Sequence, residues 1–219
     1  MRNIWLDGIM GVVVGDALGL PVQFLDREEL DKNPVQDMMG YGTFNLSAGT
    51  WSDDSSLTLA TLQSILDNGK IDAKDIMENF ADWLVDGRFT PFGESFDQGN
   101  TCVRSITKYI INNDIEHCGI TGEWANGNGA LMRIMPVCLY AYEKVKKEIW
   151  SDTEAIGWIQ KVSSLTHNHL RSQIACGIYY FLVQAILDET GSVKERMQMG
   201  MNRAISFYGS DVANKVQLA

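Results

Sequence analysis

The sequence lacks the charge pattern of a nucleic-acid-binding protein. Its 219 residues include 18 Lys and Arg against 28 Asp and Glu, which gives a net charge of −10 at neutral pH. The densest basic stretch, KVKKE at 144–148, is short and is typical of a solvated helix face. Because this surplus of negative charge repels a phosphate backbone, we expect no nucleic-acid partner.

Long apolar runs and paired cysteines are also lacking. The N-terminal segment is interrupted by Asp7 and Asp16, which a signal sequence or a membrane span would exclude, and the apolar run at 176–187 is too short to cross a bilayer. The four cysteines form no CxxC pair, which favours reduced thiols over disulfides or zinc ligands. The sequence therefore predicts a soluble, cytoplasmic protein with no membrane partner.

Strand-like alternation is scarce, and helical periodicity dominates. Apolar residues recur at helical spacing in the segments 57–66, 72–87, 101–112, 130–147, 152–165, 169–188 and 192–207. Three short Gly-rich segments that carry aromatic residues interrupt this pattern, at 40–49, 89–100 and 121–129. The sequence thus predicts an all-α domain, and loops that interrupt a helical core are where binding and catalytic residues concentrate.

Ser52, Asp53 and Asp54 stand directly before a helical segment, and this cluster has two interpretations. Ser is a favoured N-cap residue, and acidic side chains in a first turn complement the helix dipole, so the cluster is a common helix start. Alternatively, a hydroxyl and two adjacent carboxylates are hard oxygen ligands that suit Mg²⁺ or Mn²⁺ rather than zinc. The spacing alone does not distinguish a cap from half of a metal site.

Two further aspartates are equally ambiguous. Asp16 lies in a Gly-rich stretch, where a bend or a capped turn is the usual explanation. Asp97 lies beside Asn100 and Thr101, which is typical of an Asx-turn that caps the following helix. Neither aspartate is decisive alone.

Two more segments place polar groups at predicted helix starts. GNGALMR at 127–133 offers glycine amides at a predicted helix N-terminus, a place suited to a phosphate or a ribose edge, with Arg133 one turn in. Thr166, His167 and His169 precede the next predicted helix, where a histidine is usually a cap or a partly buried hydrogen-bonding group. Each segment is a weak signal when taken by itself.

Together and in this order, the segments resemble the ADP-ribosylglycohydrolase family. The matching motifs are GxxxGDALG at 11–19, GTWSDDS at 49–55, FDQGNT at 96–101, GNGALMR at 127–133 and LTHNH at 165–169. The resemblance implies a single compact orthogonal helical bundle whose loops hold two Mg²⁺ or Mn²⁺ ions over an ADP-ribose cleft. It also implies hydrolysis of the bond between the anomeric carbon of the ribose and an acceptor, commonly an arginine or serine side chain.

The same resemblance implies a set of site residues. The implied metal ligands are Ser52, Asp53 and Asp54. The implied catalytic residues are Asp16, Asp54 and Asp97. The implied substrate-binding residues are Gln23, Gly99, Asn100, Asn128, Gly129 and His167. In such a site the ions fix the ribose hydroxyls and a water, and the carboxylates hold the ions rather than the substrate.

Two departures from the family pattern bear on catalysis. The family commonly carries a glutamate where this chain has Gln23, and an amide cannot transfer a proton at neutral pH. The family also carries a second metal motif near its C-terminus, whereas the last residues here contain only an isolated Asp211. We therefore expect half of the two-ion site to lack donors, with weak metal binding, poor catalysis and an uncovered C-terminal apolar face that favours self-association.

Three hypotheses remain open. In the first, residues 1–219 form a single, C-terminally shortened domain of an ADP-ribosyl-acceptor hydrolase, as a fragment of a longer protein or as a short relative. In the second, the chain binds ADP-ribose or a nucleotide without turnover. In the third, it is a helical interaction protein whose motifs are only helix caps and turns.

Overall fold

The chain folds into helices joined by loops, of which 33–52, 87–99 and 113–134 are long and the others are short. The structure is a computed structural model, and it describes residues 3–209; Asp211 lies outside this range. Over these residues there are nine α-helices and no sheet, since the extended segments form only two isolated bridges. The helices are α1 (Ile4–Gly19), α2 (Arg27–Lys32), α3 (Asp53–Asn68), α4 (Ala73–Asp86), α5 (Asn100–Asn112), α6 (Met135–Lys146), α7 (Asp152–Ser164), α8 (Leu170–Asp188) and α9 (Val193–Tyr208). The all-α prediction is confirmed.

Several helices begin where the local sequence supplies a cap. The Asp72 carboxylate accepts hydrogen bonds from the amides of Lys74 and Asp75 at the start of α4. Ser151 and Ser192 open α7 and α9 with capping boxes, in which the serine and the glutamate three residues later satisfy each other's backbone amides. These starts are encoded within a few residues of the helix itself.

The helices pack around one apolar core. Helix α8 packs between α7 and α9 and also contacts α6, while α3 contacts α1, α4 and α6. The largest side chains that are fully buried between these helices include Leu57, Phe80, Trp83, Ile106 and Tyr180. Because α3 packs against α1, its N-terminus is fixed near the C-terminal end of α1. That junction positions the acidic motifs of the sequence.

The segment predicted as a helix over 130–147 is helical only from Met135 onward. Proline has no amide hydrogen and is tolerated only in the first turn of a helix, so Pro136 places the helix start at this point. Residues 127–133 form consecutive turns before the helix. The prediction that the glycines of 127–129 lie at a helix N-terminus, with Arg133 one turn in, is therefore wrong.

Two segments of the described chain, Ile4–Val22 and Leu170–Asp188, are long and apolar enough to cross a membrane by length and composition alone. Half of the second is buried in the fold, as in the core helix of a globular protein. The first is 22% buried, and its exposed Leu6, Met10 and Val14 lie four residues apart on one face. Signal sequences and the core helices of globular proteins can have the same length and composition, so the absence of a membrane partner stays a prediction.

Candidate active site

A cavity of about 400 Å³ opens where the end of α1 and the start of α3 meet three loops. The predicted site residues that line it are Gln23, Asp53, Asp54, Asp97, Gly99, Asn100, Asn128, Gly129 and His167. Asp16 and Ser52 lie behind the acidic wall, where they are hydrogen-bonded to each other. Motifs that are far apart in the sequence are thus brought to one place.

The Asp16 carboxylate caps α3 from outside that helix. Its Oδ2 accepts hydrogen bonds from the Ser52 amide at 2.9 Å, the Ser55 amide at 3.0 Å and the Ser55 hydroxyl at 2.6 Å, and its Oδ1 accepts one from the Ser52 hydroxyl at 2.7 Å. The Ser52 side chain makes no cap bond to its own helix. Ser52 occupies the N-cap position of α3, but its side chain does not supply the cap, because the Asp16 carboxylate on α1 accepts from the Ser55 amide in the first turn instead.

Asp53 and Asp54 face the cavity as a result. Asp53 is buried, and the nearby Gly99 amide lowers its pKa slightly against the larger effect of burial. Asp54 Oδ2 accepts a hydrogen bond from the Ser52 hydroxyl at 3.4 Å. Asp54 therefore takes this hydrogen bond from Ser52, which precedes α3.

The acidic wall holds three carboxylates whose pKa values are raised. Burial raises the pKa of Asp53 to about 8, and the charges of Asp54, Asp97 and Asp16 add to the effect. Burial, with the charge of Asp16, also raises the pKa of Asp54 and of Asp97 above the ordinary range. None of these four aspartates forms an ion pair with any residue in the described range. The cluster is therefore short of positive charge.

The donor chemistry of this wall fits a hard divalent cation. Clustered carboxylates without a cationic side chain prefer a bound ion, and oxygen donors suit Mg²⁺ or Mn²⁺. The side chains of residues 3–209 contain no group of three or more His, Cys, Asp or Glu placed to hold a metal ion. Mg²⁺ commonly binds through one or two carboxylates and keeps several waters, so a pair such as Asp53 and Asp54 suits it.

Gln23 and Asp97 are neighbours at this wall of the cavity. The side-chain amide of Gln23 lowers the pKa of Asp97 and partly offsets the effect of burial. Asp97 has a positive φ of 52°, and α5, whose N-cap position is Gly99, receives no side-chain cap hydrogen bond. The Asx-turn interpretation of Asp97 is therefore not supported, and its carboxylate belongs to the cavity.

The opposite wall is formed by the Gly-Asn-Gly loop and His167. A Cβ added at Gly129 would lie 2.7 Å from His167 Cε1 and 2.9 Å from Cys102 Sγ, so the close approach of loop and imidazole requires glycine. The backbone around His167 is held by Ile120, whose amide donates to Thr166 O at 3.0 Å and whose carbonyl accepts from the Asn168 amide at 2.9 Å. The imidazole is thus fixed against the loop.

The two histidines of the LTHNH motif, His167 and His169, have different roles. His169 is the N-cap of α8, where its ring accepts a hydrogen bond from the Arg171 amide. His167 is buried, and its Nδ1 lies 2.9 Å from Thr166 Oγ1. Burial and the nearby Arg133 lower the pKa of His167 to about 4, so its imidazole is neutral at physiological pH.

An aromatic rim at the mouth of the cavity was not anticipated from the sequence. Phe24 lines the cavity while 80% of its surface is exposed, and its φ is +67°. Its ring contacts Phe44, which contacts Phe96, which contacts the exposed Phe92, with centroids 6.0–6.4 Å apart. The available signal was the position of Phe24 next to Gln23 and of Phe96 next to Asp97. Exposed aromatic faces beside an acidic cavity suit a planar or cationic group of a ligand.

In comparisons with known proteins, the chain matches one family. The family model described as ADP-ribosylglycohydrolase matches residues 3–219. ADP-ribosylarginine hydrolase Tri1 of Serratia proteamaculans (strain 568) is 28% identical over 188 residues, which cover 86% of this chain and 48% of that protein. ADP-ribosyl-[dinitrogen reductase] glycohydrolase of Rhodospirillum rubrum is 33% identical over 177 residues, which cover 78% of this chain and 53% of that protein.

A solved structure gives the same result for the fold. A chain of an ADP-ribosylglycohydrolase-related protein complex superposes with a TM-score of 0.67 at 28% identity, covering 89% of this chain and 59% of that one. The chain spans about half the length of the curated relatives it matches.

Proposed function

The chain belongs to the ADP-ribosylglycohydrolase family, and we propose that it removes ADP-ribose from a modified acceptor. The bond cleaved is the N- or O-glycosidic bond at the anomeric carbon of the ribose, and Mg²⁺ or Mn²⁺ assists. The observation that carries the proposal is the cavity itself, in which unpaired carboxylates face a Gly-Asn-Gly loop and a neutral histidine. The acidic wall suits a cation and the reacting ribose, and the opposite wall suits the oxygens of the nucleotide.

Asp97 is our candidate for the proton-transfer group. Its carboxylate is half-buried with a raised pKa, which makes it a stronger base than an exposed aspartate, and Gln23 orients it. A water attacks the anomeric carbon and gives a proton to Asp97. The bond to the acceptor nitrogen or oxygen breaks, that atom leaves with the electron pair, and Asp97 returns a proton to it. No net proton is gained or lost by the protein.

The remaining aspartates have supporting roles in this proposal. Asp53 and Asp54, with the Ser52 hydroxyl by resemblance to the family, would hold a divalent ion. Bound there, the ion supplies positive charge that orients the ribose hydroxyls and the attacking water. Asp16 fixes Ser52 and the start of α3, and so fixes the direction of both ligand carboxylates. That donors for a second ion are lacking stays a prediction from the family pattern, since Asp211 lies outside the described residues.

A second candidate function is ADP-ribose binding without turnover, and Gln23 is the observation that favours it. Where the family carries a proton-transferring glutamate, the amide here can only donate to Asp97 or accept from a ligand. The proposal for turnover therefore depends on Asp97 alone as the acid-base group. A cytoplasmic location and the absence of nucleic-acid partners are further proposals, supported by composition only.

Calorimetric titration with ADP-ribose, in the presence and absence of Mg²⁺, separates the open hypotheses. Binding that requires Mg²⁺ supports the hydrolase, and equal binding in EDTA supports a module without turnover. No binding in either condition points to a helical interaction protein. The variant Asp54→Asn tests the role of this carboxylate. If Asp54 is a metal ligand, the replacement should sharply weaken Mg²⁺ binding. If Asp54 is only a residue of the first helical turn, the replacement should change only the stability, by about 0.5–1 kcal/mol.

A further inference from the structure

Arg133 is a fully buried cation beneath the cavity floor. Its exposed fraction is 0%, and it forms no ion pair with any residue of the described range. The guanidinium lies over the Phe80 ring at 4.6 Å, and its Nε and Nη1 have no hydrogen-bond partner. A buried guanidinium without a carboxylate is destabilising, so its position calls for an explanation other than folding.

The hydrogen bonds that Arg133 does make lead towards the cavity. Its Nη2 donates to the Val162 carbonyl at 3.2 Å and to Thr166 Oγ1 at 2.8 Å. Thr166 Oγ1 in turn lies 2.9 Å from Nδ1 of His167. Arginine can only donate, so the Thr166 oxygen is the acceptor of the first bond, and its own hydrogen is free to point at His167. The guanidinium polarises that hydroxyl and strengthens the second bond.

The charge of Arg133 also selects the tautomer of His167. In the Nδ1–H tautomer, the positive end of the N–H bond would point towards the positively charged guanidinium. The tautomer with a lone pair on Nδ1 is therefore favoured. The tautomer of a histidine follows from the hydrogen bond made by its other nitrogen. With Nδ1 as acceptor from Thr166, the proton of the neutral ring is on Nε2.

The Nε2 side of the ring faces the Gly-Asn-Gly loop. A Cβ added at Gly127 would lie 3.6 Å from His167 Nε2, and one added at Gly129 would lie 3.2 Å from it. Both glycines and His167 line the cavity, while Arg133 and Thr166 do not. Arg133, Thr166 and His167 thus form a hydrogen-bonded relay. It begins under the cavity floor and ends at Nε2 of His167, beside the Gly-Asn-Gly loop.

We propose that Arg133 is a positioning residue that acts through Thr166 to hold His167 as an Nε2–H hydrogen-bond donor towards the cavity. This deepens the proposed function and rests on it: the oxygen that accepts from Nε2 belongs to the phosphate or ribose of ADP-ribose. In this state His167 binds an anionic or hydroxyl oxygen and is not a proton acceptor in hydrolysis. Substrates that present an oxygen beside the Gly-Asn-Gly loop are favoured.

The tautomer is measured directly on the ligand-free protein. Imidazole nitrogens are labelled with ¹⁵N, and two-bond ¹H–¹⁵N correlation spectra distinguish the Nε2–H from the Nδ1–H form of each ring. The chain has three histidines, so single replacements by glutamine assign the signals. Thr166→Val removes the relay hydroxyl, Thr166→Ser retains it, and Thr61→Val is the matched control. The Thr61 hydroxyl is also buried, and it donates to the Leu57 carbonyl within α3.

We expect the pure Nε2–H form of His167 in the wild type, in Thr166→Ser and in Thr61→Val, and a mixture of tautomers in Thr166→Val. ADP-ribose affinity should fall about two- to tenfold in Thr166→Val alone, which corresponds to one hydrogen bond. An Nδ1–H form in the wild type overturns the proposal even if Thr166→Val does not fold, and so does an unchanged tautomer in Thr166→Val. If the wild type does not bind ADP-ribose while the tautomer pattern holds, the proposed function fails and the relay stands.

Discussion

Replacing Asp53 by asparagine should stabilise the metal-free protein near neutral pH. Burial and the charges of Asp54, Asp97 and Asp16 raise the pKa of Asp53 from its ordinary value of 3.8 to about 8. A carboxyl whose pKa is higher in the folded than in the unfolded protein stabilises the fold fully below its unfolded pKa. That stability is lost as the pH rises from about 4 through about 8. Asparagine has nearly the same shape and no charge, so the loss does not occur.

The size of the effect follows from the size of the pKa shift. Each pKa unit corresponds to about 1.4 kcal/mol, so ionising Asp53 in rigid surroundings would cost on the order of 4–6 kcal/mol at pH 8. Water entry and rotation of neighbouring carboxylates reduce this figure. We therefore expect Asp53→Asn to raise the free energy of unfolding by about 2–4 kcal/mol at pH 8 and by about zero at pH 4, where both side chains are neutral.

Urea unfolding followed by circular dichroism at pH 4, 6 and 8 in EDTA measures this effect. Asp67→Asn is the matched control, because Asp67 is exposed at the far end of the same helix and should change stability by less than about 0.5 kcal/mol. Mg²⁺ should then stabilise the wild type and not Asp53→Asn. A loss of stability in Asp53→Asn at pH 8 in EDTA, or an equal gain at pH 4, would refute the assigned effect of burial and charge on Asp53.

Three further substitutions and one titration have defined outcomes. Asp16→Asn should lower the free energy of unfolding by about 1–3 kcal/mol in urea titrations, because α3 loses its cap; no loss would contradict the capping role. Asp97→Asn should slow ADP-ribose release at least about 100-fold while calorimetry shows ADP-ribose binding retained; a parallel loss of binding would contradict a role in proton transfer. His167 should stay neutral until its pKa of about 4, and an NMR titration near 6.5 would contradict the effect of burial. Met10→Lys should reduce any concentration-dependent sedimentation, because it breaks the exposed apolar face of α1; unchanged association would exclude that face.

Local sequence signals predicted the helices and the motifs that meet in the cavity. Periodicity and turn residues act within a few positions, so helices such as α4 and α7 could be placed within about two residues from the sequence. In the segment 130–147 the apolar spacing continues through turns that Pro136 excludes from the helix, so periodicity alone predicts a helix that begins too early. The position of the proline indicates the observed start.

Nonlocal contacts could not be predicted from spacing. The cap of α3 comes from Asp16, 36 residues before Ser52, and Arg133 reaches Thr166, which is 33 residues further along the chain. Both depend on how helices pack, which no local pattern encodes. No sequence pattern indicated that Arg133 is buried, because an isolated arginine after a Gly-rich loop is normally exposed or bound to an anion.

The most direct test of the central claim is release of ADP-ribose from an ADP-ribosylated arginine or serine peptide by this chain. We predict slow release that requires Mg²⁺ or Mn²⁺, stops in EDTA and is lost in Asp54→Asn, with Asp67→Asn equal to the wild type. No release with either peptide, or release that is unchanged in EDTA and in Asp54→Asn, would contradict the assignment of hydrolysis to this carboxylate cavity.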